Sequence, residues 1–254
     1  IYKYVWNGAN LSDPILVKDL PVTPGENHDG GAMITTSDSK VYAVIGDLNR
    51  NGILQNFNSG SPDDTSVIIH VNLDETVLQP SQSANPSEHY RAIGIRNSFG
   101  LAEDPNTGNI WITENGPTEF DEINLVSSKF NSGWETIMGP ANQVQINSPL
   151  GLEDFIYSDP EFSWEFNVAV TAIEFIDSVS LKKYDDRVFV GDCNNGNLYN
   201  FKLDSTRTGF MFNNNHLMDK VLDLGESNDE IVFGSDFGCI TDLEQGPDGN
   251  LYVL

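Results

Sequence analysis

The 254-residue sequence is short of positive charge: 13 lysines and arginines stand against 38 aspartates and glutamates, for a formal net charge of −25 at pH 7. Such a surface repels a polyanion, which excludes DNA and RNA as partners. The same acidity keeps a protein soluble and supplies oxygen ligands for hard cations such as calcium, although most of these carboxylates read as solvated surface. Cysteine is scarce as well. Cys193 and Cys239 are too few for a disulfide framework and too far apart for a zinc ribbon; one disulfide and two unrelated thiols fit the sequence equally well. No apolar run reaches the roughly eighteen residues of a membrane span, and there is no signal-peptide pattern. The chain opens on Ile1 inside one strand-like run and closes on Leu254 inside another, as expected for a piece of a longer protein. No 3.6-residue period is sustained over several turns, so the helical classes are excluded.

What remains is short strands. Ile1 to Leu20 predicts two paired strands around a turn at Asn7-Gly8-Ala9-Asn10. Lys40 to Gly46 is apolar almost throughout and suits a strand buried on both faces, and Val67 to Leu73 is a strand again. The segments 47–64 and 79–88 are polar and loop-like, and 131–147 is irregular. Phe162 to Ile176 and Arg187 to Leu203 supply further strands, with a short helical turn expected within 213–223. Four segments share one formula, a polar turn leading into an alternating apolar strand: SDSKVYAVIGD, NTGNIWITENG, YDDRVFVGD and PDGNLYVL. They recur at roughly 60 to 80 residues, wider than the ~40 to 45 of a compact propeller blade, so each unit would carry long insertions. A β-sandwich also produces short strands with polar turns, but the repetition favours an all-β propeller.

Three places carry candidate chemistry. His28, in Asn27-His28-Asp29-Gly30-Gly31, can present its imidazole at a glycine-rich strand entry and suits a general base near neutral pH; the bland alternative is a surface histidine. Arg96 lies between glycines in an apolar stretch, where a guanidinium needs an anion or a fixed carboxylate, or else forms a buried Arg-Asp tie between blades. Gly116-Pro117 precedes Glu119, Asp121 and Glu122. Glycine lets the chain turn, proline keeps its carbonyl, and carbonyls beside carboxylates suit calcium, although the spacing matches no EF-hand.

In these residues the chain resembles the glucose/sorbosone dehydrogenases, particularly the soluble aldose sugar dehydrogenases that use pyrroloquinoline quinone (PQQ). NHDGG before an apolar strand, GIRNSFGL, ENGPTEFDEINLV and GPDGNLYVL resemble that family's motifs in order. The resemblance implies a six-bladed β-propeller, here a single domain over 1–254 that is incomplete at both ends and lacks the first blade and part of the second. It implies PQQ on a calcium ion, with His28 as the base that takes a proton from a sugar hydroxyl. Arg96, a catalytic as well as a cofactor-binding position, and Asn97 would contact quinone oxygens, and the carbonyls of Gly116 and Pro117 would ligate the metal. It implies a sugar or glycan substrate, an external electron acceptor and an extracytoplasmic location.

The sequence departs from the family pattern at three cationic positions, where Asn194, Cys239 and Thr241 stand. Charge-assisted hydrogen bonds are worth about 1.5 to 3 kcal/mol each, so their loss would cost a trianionic cofactor several orders of magnitude in affinity. Arg91, Lys182 and Lys183 are the cations left to compensate. The resemblance therefore carries two main readings: a PQQ- and calcium-dependent sugar dehydrogenase, and a PQQ-free, calcium-stabilised extracellular propeller that binds glycans or proteins. A hydrolase or lactonase using His28 and a metal is a third, with no further residue to recommend it.

Overall fold

The structure, a computed structural model, describes residues 1–20, 25–50, 53–56, 62–71, 73, 85–146 and 152–254. The expected first hairpin is present: Tyr2–Trp6 pairs antiparallel with Leu11–Leu16. Its turn is closed by Asn7, whose Oδ1 accepts from the amides of Ala9 and Asn10 at 3.0 and 2.9 Å.

Three larger sheets follow, each built on an antiparallel run of four strands. The first takes Met33–Thr35, Val41–Ile45, Val67–Val71 and Tyr90–Ile93 in order, extended by short parallel strands at Phe130–Asn131 and Ile156–Tyr157. The second takes Gly100–Glu103, Ile110–Glu114, Asp121–Val126 and Phe162–Trp164, with Val221–Leu222 added in parallel. The third takes Val170–Phe175, Arg187–Asp192, Leu198–Lys202 and Val232–Gly234, and Leu243–Gln245 then pairs with Leu251–Val253. The four repeated formulas of the sequence are the second strands of these four successive sheets. Two of their entry turns close in the same way, with Asp104 Oδ1 accepting from Asn106 N and Asp248 Oδ1 from Asn250 N.

The first strands of the four sheets lie side by side around a central channel of about 600 Å³, and the sheets radiate from it as the blades of a β-propeller. Apolar side chains fill the spaces between blades. Within Val41–Ile45, Ala43 and Ile45 pack towards Val67, Ile69 and Leu54, while Tyr42 and Val44 pack on the other side against Leu101, Ile110 and Ile112 of the next blade. That two-sided burial is why the strand reads as a continuous apolar run rather than an alternating one. Between the second and third blades, Phe162 and Trp164 meet edge to face, with ring centroids 4.9 Å apart, against Tyr199 and Phe201.

Among the described residues the α-helix is confined to Gln143–Ile146, and the expected helical turn near 213–223 is a 3₁₀ turn at Asn215–Leu217. The polar stretches 47–64 and 79–88 lie partly outside the described residues, as does Asn147 at the end of the irregular segment. Cys193 and Cys239, which the sequence left open, are joined in a disulfide. It ties the end of the third blade's second strand to the segment that leads into Leu243–Gln245.

Candidate functional site

A cleft of about 700 Å³ opens beside the central channel, and Phe99 and Thr241 line both. One side of the cleft carries Arg96, Asn97, Asn115, Gly116 and Pro117; Ala169, Thr171 and the Cys193–Cys239 bridge line it as well. The sequence motifs at Arg96-Asn97 and Gly116-Pro117 therefore converge on one space. His28 stands next to it, reached through Asp47, Trp134 and Arg96.

His28 takes a left-handed backbone conformation, φ 60°, which is uncommon outside glycine. Gly46 makes the close approach possible: a Cβ there would lie 2.1 Å from His28 O and 2.8 Å from Arg96 O. With the chains that close, Asp47 N donates to Arg96 O at 2.9 Å and Asp47 Oδ1 lies 2.7 Å from His28 Nδ1. The other carboxylate oxygen of Asp47 accepts from Trp134 Nε1 at 2.9 Å, and the Arg96 guanidinium stacks 5.3 Å from the Trp134 ring centre. The imidazole is thus oriented through Nδ1, which makes Nε2 the atom free of that pairing.

The Arg96 guanidinium forms no ion pair among the described residues, so the expected Arg-Asp tie and the fixed-carboxylate contact are absent. Its Nη1 donates to the carbonyls of Asn115 and Gly116 at 2.8 and 3.0 Å, and its Nε is buried with no hydrogen-bond partner. Burial pushes its pKa down, against the charges of Asp47, Glu114 and Asp121. Asn97 Oδ1 and Asn115 Oδ1 are buried and unpartnered too. Three buried polar atoms on residues of one cleft thus have no hydrogen-bond partner within the chain.

The carboxylates next to Gly116-Pro117 are not arranged as metal ligands. Asp121 is fully buried and accepts four hydrogen bonds: from Gly116 N at 2.9 Å, Asn167 Nδ2 at 2.8 Å, Val168 N at 2.7 Å and Ala169 N at 2.6 Å. Glu122 accepts from Gly139 N and Asn124 Nδ2, and Glu119 belongs to the turn whose carbonyl a Gly116 Cβ would strike. Among the described residues no group of three or more His, Cys, Asp or Glu side chains is placed to hold a metal. Gly116 O is shared between Arg96 and Asn167, while Pro117 is exposed. Asn194, at one of the altered cationic positions, is exposed and donates to Asn167 O; Cys239 and Thr241 line the cleft. None of the compensating cations does: Arg91 donates to Val126 O, Lys182 pairs with Asp185 and Lys183 lies over Tyr184.

Sequence reasoning missed Asp47, Trp134, Asn115 and Asn167, and left the bridge open. The Gly-Asp that ends the repeated strand formula was a usable signal, since it recurs at Gly46-Asp47 and Gly191-Asp192. Only the former faces a histidine. Asp192 instead closes its own turn, accepting from Asn195 N and Tyr199 Oη.

Glu114 and Glu122 face one another across adjacent strands of the second blade, both buried. Burial pushes both carboxyls above the ordinary glutamate range, and the charge of Glu114 pushes Glu122 further up. Glu174, at the channel, is pushed up to about 7 by burial. The folded protein therefore holds protons that the unfolded chain releases from about pH 4.3 upward. This contribution to stability is whole at low pH and is lost as the pH rises through the raised folded values, at up to about 1.4 kcal/mol per pH unit for each group. Urea denaturation should show stability falling between about pH 5 and 8, and Glu122→Gln should flatten the slope; a rising profile in the wild type contradicts the assignment.

The chain was compared with known proteins. The family model for glucose/sorbosone dehydrogenase matches residues 7–254. The aldose sugar dehydrogenase YliI of Escherichia coli is 23% identical over 93% of this chain and 59% of its own length. Quinoprotein glucose dehydrogenase B of Acinetobacter calcoaceticus is 30% identical over 55% of this chain and 32% of its own. An uncharacterized Synechocystis protein is 24% identical over all of this chain and 60% of its own, so the chain spans well under two thirds of these curated relatives. Among solved structures, the apo soluble aldose sugar dehydrogenase of E. coli superposes with a TM-score of 0.68 at 19% identity, covering 96% of this chain and 65% of that one. The PQQ-bound aldose sugar dehydrogenase of Streptomyces coelicolor gives 0.64 at 20% identity, covering 97% and 61%. These structures share its fold, and with the family model matched along nearly the whole sequence the chain belongs to the glucose/sorbosone dehydrogenase family.

Proposed function

We propose that this protein oxidises a sugar hydroxyl to a carbonyl, with His28 as the base that takes the hydroxyl proton and a quinone acceptor taking the hydride. The observation that carries the reading is the His28 Nδ1 to Asp47 Oδ1 contact of 2.7 Å beside a cleft whose buried Arg96 lacks a partner at Nε. Asp47 fixes the ring and its tautomer, so that Nε2 is the acceptor for a substrate hydroxyl proton. Asp47 itself is held by Trp134 and by the amide of Asn49, which makes it a positioning residue rather than a second base.

One relative is a quinoprotein by name and one structural neighbour was solved with PQQ bound, and the residues present match PQQ at one end only. Arg96 Nε is an unsatisfied donor suited to a carbonyl edge, and the cleft is large enough for a flat ring system. The three carboxylates of PQQ meet a single cation, Arg96, among the described lining residues, so that end does not fit. Calcium would have to be held by the carbonyls of Gly116, which already accepts from Arg96 and Asn167, and Pro117, together with the unpartnered Oδ1 atoms of Asn97 and Asn115. These are neutral oxygens, and a set without carboxylates binds calcium weakly, on the order of 10⁻⁴ to 10⁻³ M.

The single cation also favours a second reading, in which the cleft binds a neutral glycan without oxidising it. An extracytoplasmic location is supported by the disulfide, since such bonds persist in oxidising compartments. Among the described residues no helix is long and apolar enough to cross a membrane.

Dye-linked oxidation of aldoses, assayed with calcium and an added ortho-quinone, separates the two readings. Turnover is expected, and His28→Ala should lower kcat by about 10² to 10⁴ with an unchanged melting temperature; undiminished turnover in the variant removes the base assignment, and no turnover in the wild type favours the binding module. Calcium in excess over about 1 mM should raise the melting temperature where magnesium does not, and no response to calcium retires the Gly116-Pro117 turn as a metal loop.

A further inference from the structure

We infer that the cleft of Arg96, Asn97 and the Cys193–Cys239 bridge selects a flat, carbonyl-edged ligand that carries little or no negative charge. The inference rests on the proposed use of this cleft as the site of the redox partner, and it goes further by naming the ligand's charge class.

Three independent features of the cleft agree. The first is its orphaned atoms. Arg96 Nε, Asn97 Oδ1 and Asn115 Oδ1 are buried atoms of lining residues, one donor against two acceptors, so a carboxylate brought beside them gains at most one hydrogen bond from them. The two asparagine oxygens accept instead from a hydroxyl or N–H, or meet a cation. The second is the rest of the lining. Ala169, Thr171, Thr241 and the disulfide carry no charge, and the Thr171 hydroxyl is already committed to Gly191 O and Ile240 O at 3.1 and 2.6 Å. Cys239 is exposed, so a ligand in the cleft meets sulfur where an anion would need an ammonium or guanidinium.

The third feature is the field. All 13 lysines and arginines of the sequence fall within the described residues, and Arg96 is the one among them that lines the cleft. Its charge is already shared with two backbone carbonyls and offset by Asp47, Glu114 and Asp121. A ligand with three carboxylates would leave at least two of them uncompensated against the walls this chain provides. A ring of the same shape with its acids masked loses nothing at the Arg96 edge and avoids that repulsion.

Equilibrium binding to the full chain tests this without relying on turnover. The probes are PQQ and its trimethyl ester, which share one ring system and one ortho-quinone, titrated at low salt with calcium and followed by tryptophan fluorescence and calorimetry. The ester should bind at least about tenfold more tightly than the acid. Thr241→Arg should raise affinity for the acid by about tenfold and leave the ester within about threefold. Equal or tighter binding of the acid by the wild type overturns the inference, and so does failure of both probes to bind at about 1 mM. The two proposals fail separately. Ester binding without sugar oxidation would retire the activity and leave the charge selection standing, whereas tight binding of the acid together with sugar oxidation would do the reverse.

Discussion

The candidate site depends on one buried carboxylate. Asp121 has no solvent contact, and a carboxylate in that position is costly unless its oxygens are filled. Four N–H donors from two separate segments fill them, and although burial still raises its pKa, those hydrogen bonds favour the charged form. The consequence is geometric. Gly116 is drawn down by its amide, at a place where a side chain would strike the carbonyls of Glu119 and Phe120 at 1.9 and 2.5 Å. Its own carbonyl then faces Arg96 and Asn167, while Val168 and Ala169 are held at the start of the third blade's inner strand. One acid thus joins the cleft's arginine side to the blade that carries its disulfide.

The base side is assembled by the same logic with different atoms. Asp47 ends a strand buried on both faces, so its position is set by blade packing, and its two oxygens hold His28, Asn49 and Trp134. Trp134 in turn carries the Arg96 guanidinium on its face. The two halves therefore meet at Arg96. Glu114 adds a further tie, accepting from the Arg96 amide at 2.6 Å and from the Ser132 hydroxyl at 2.6 Å. A network of this density in a low-dielectric interior is rigid when satisfied, so the atoms left unsatisfied in it, Arg96 Nε and the two asparagine oxygens, stand out.

Much of the fold could be read from the chain. Aromatic and β-branched runs around a turn placed the first hairpin, the apolar run of Val41–Ile45 marked a strand buried on both faces, and the polar-turn formula fell on the second strand of each of four sheets. The motif residues His28, Arg96, Asn97, Gly116 and Pro117 were also legible, and folding gathers them around one cleft. Partners were not. Local sequence cannot distinguish Asp47, which orients a histidine, from Asp192, which closes a turn, because that choice is made by what the next blade presents. Nor could it show that Asp121 and Glu122 are consumed by backbone amides, since their donors lie up to 48 residues away. The bridge between Cys193 and Cys239 depends on the end of the Arg187–Asp192 strand meeting the segment that leads into Leu243–Gln245, which two isolated cysteines do not encode.

Asp121 organises the cleft before any ligand arrives. Native-state amide hydrogen exchange of the ligand-free chain measures this directly. The amides of Gly116, Val168 and Ala169 should be protected about as strongly as the core strands, and Asp121→Asn should release those three selectively while the first blade keeps its protection. Fast exchange at these amides in the wild type, or protection unchanged in the variant, would contradict it.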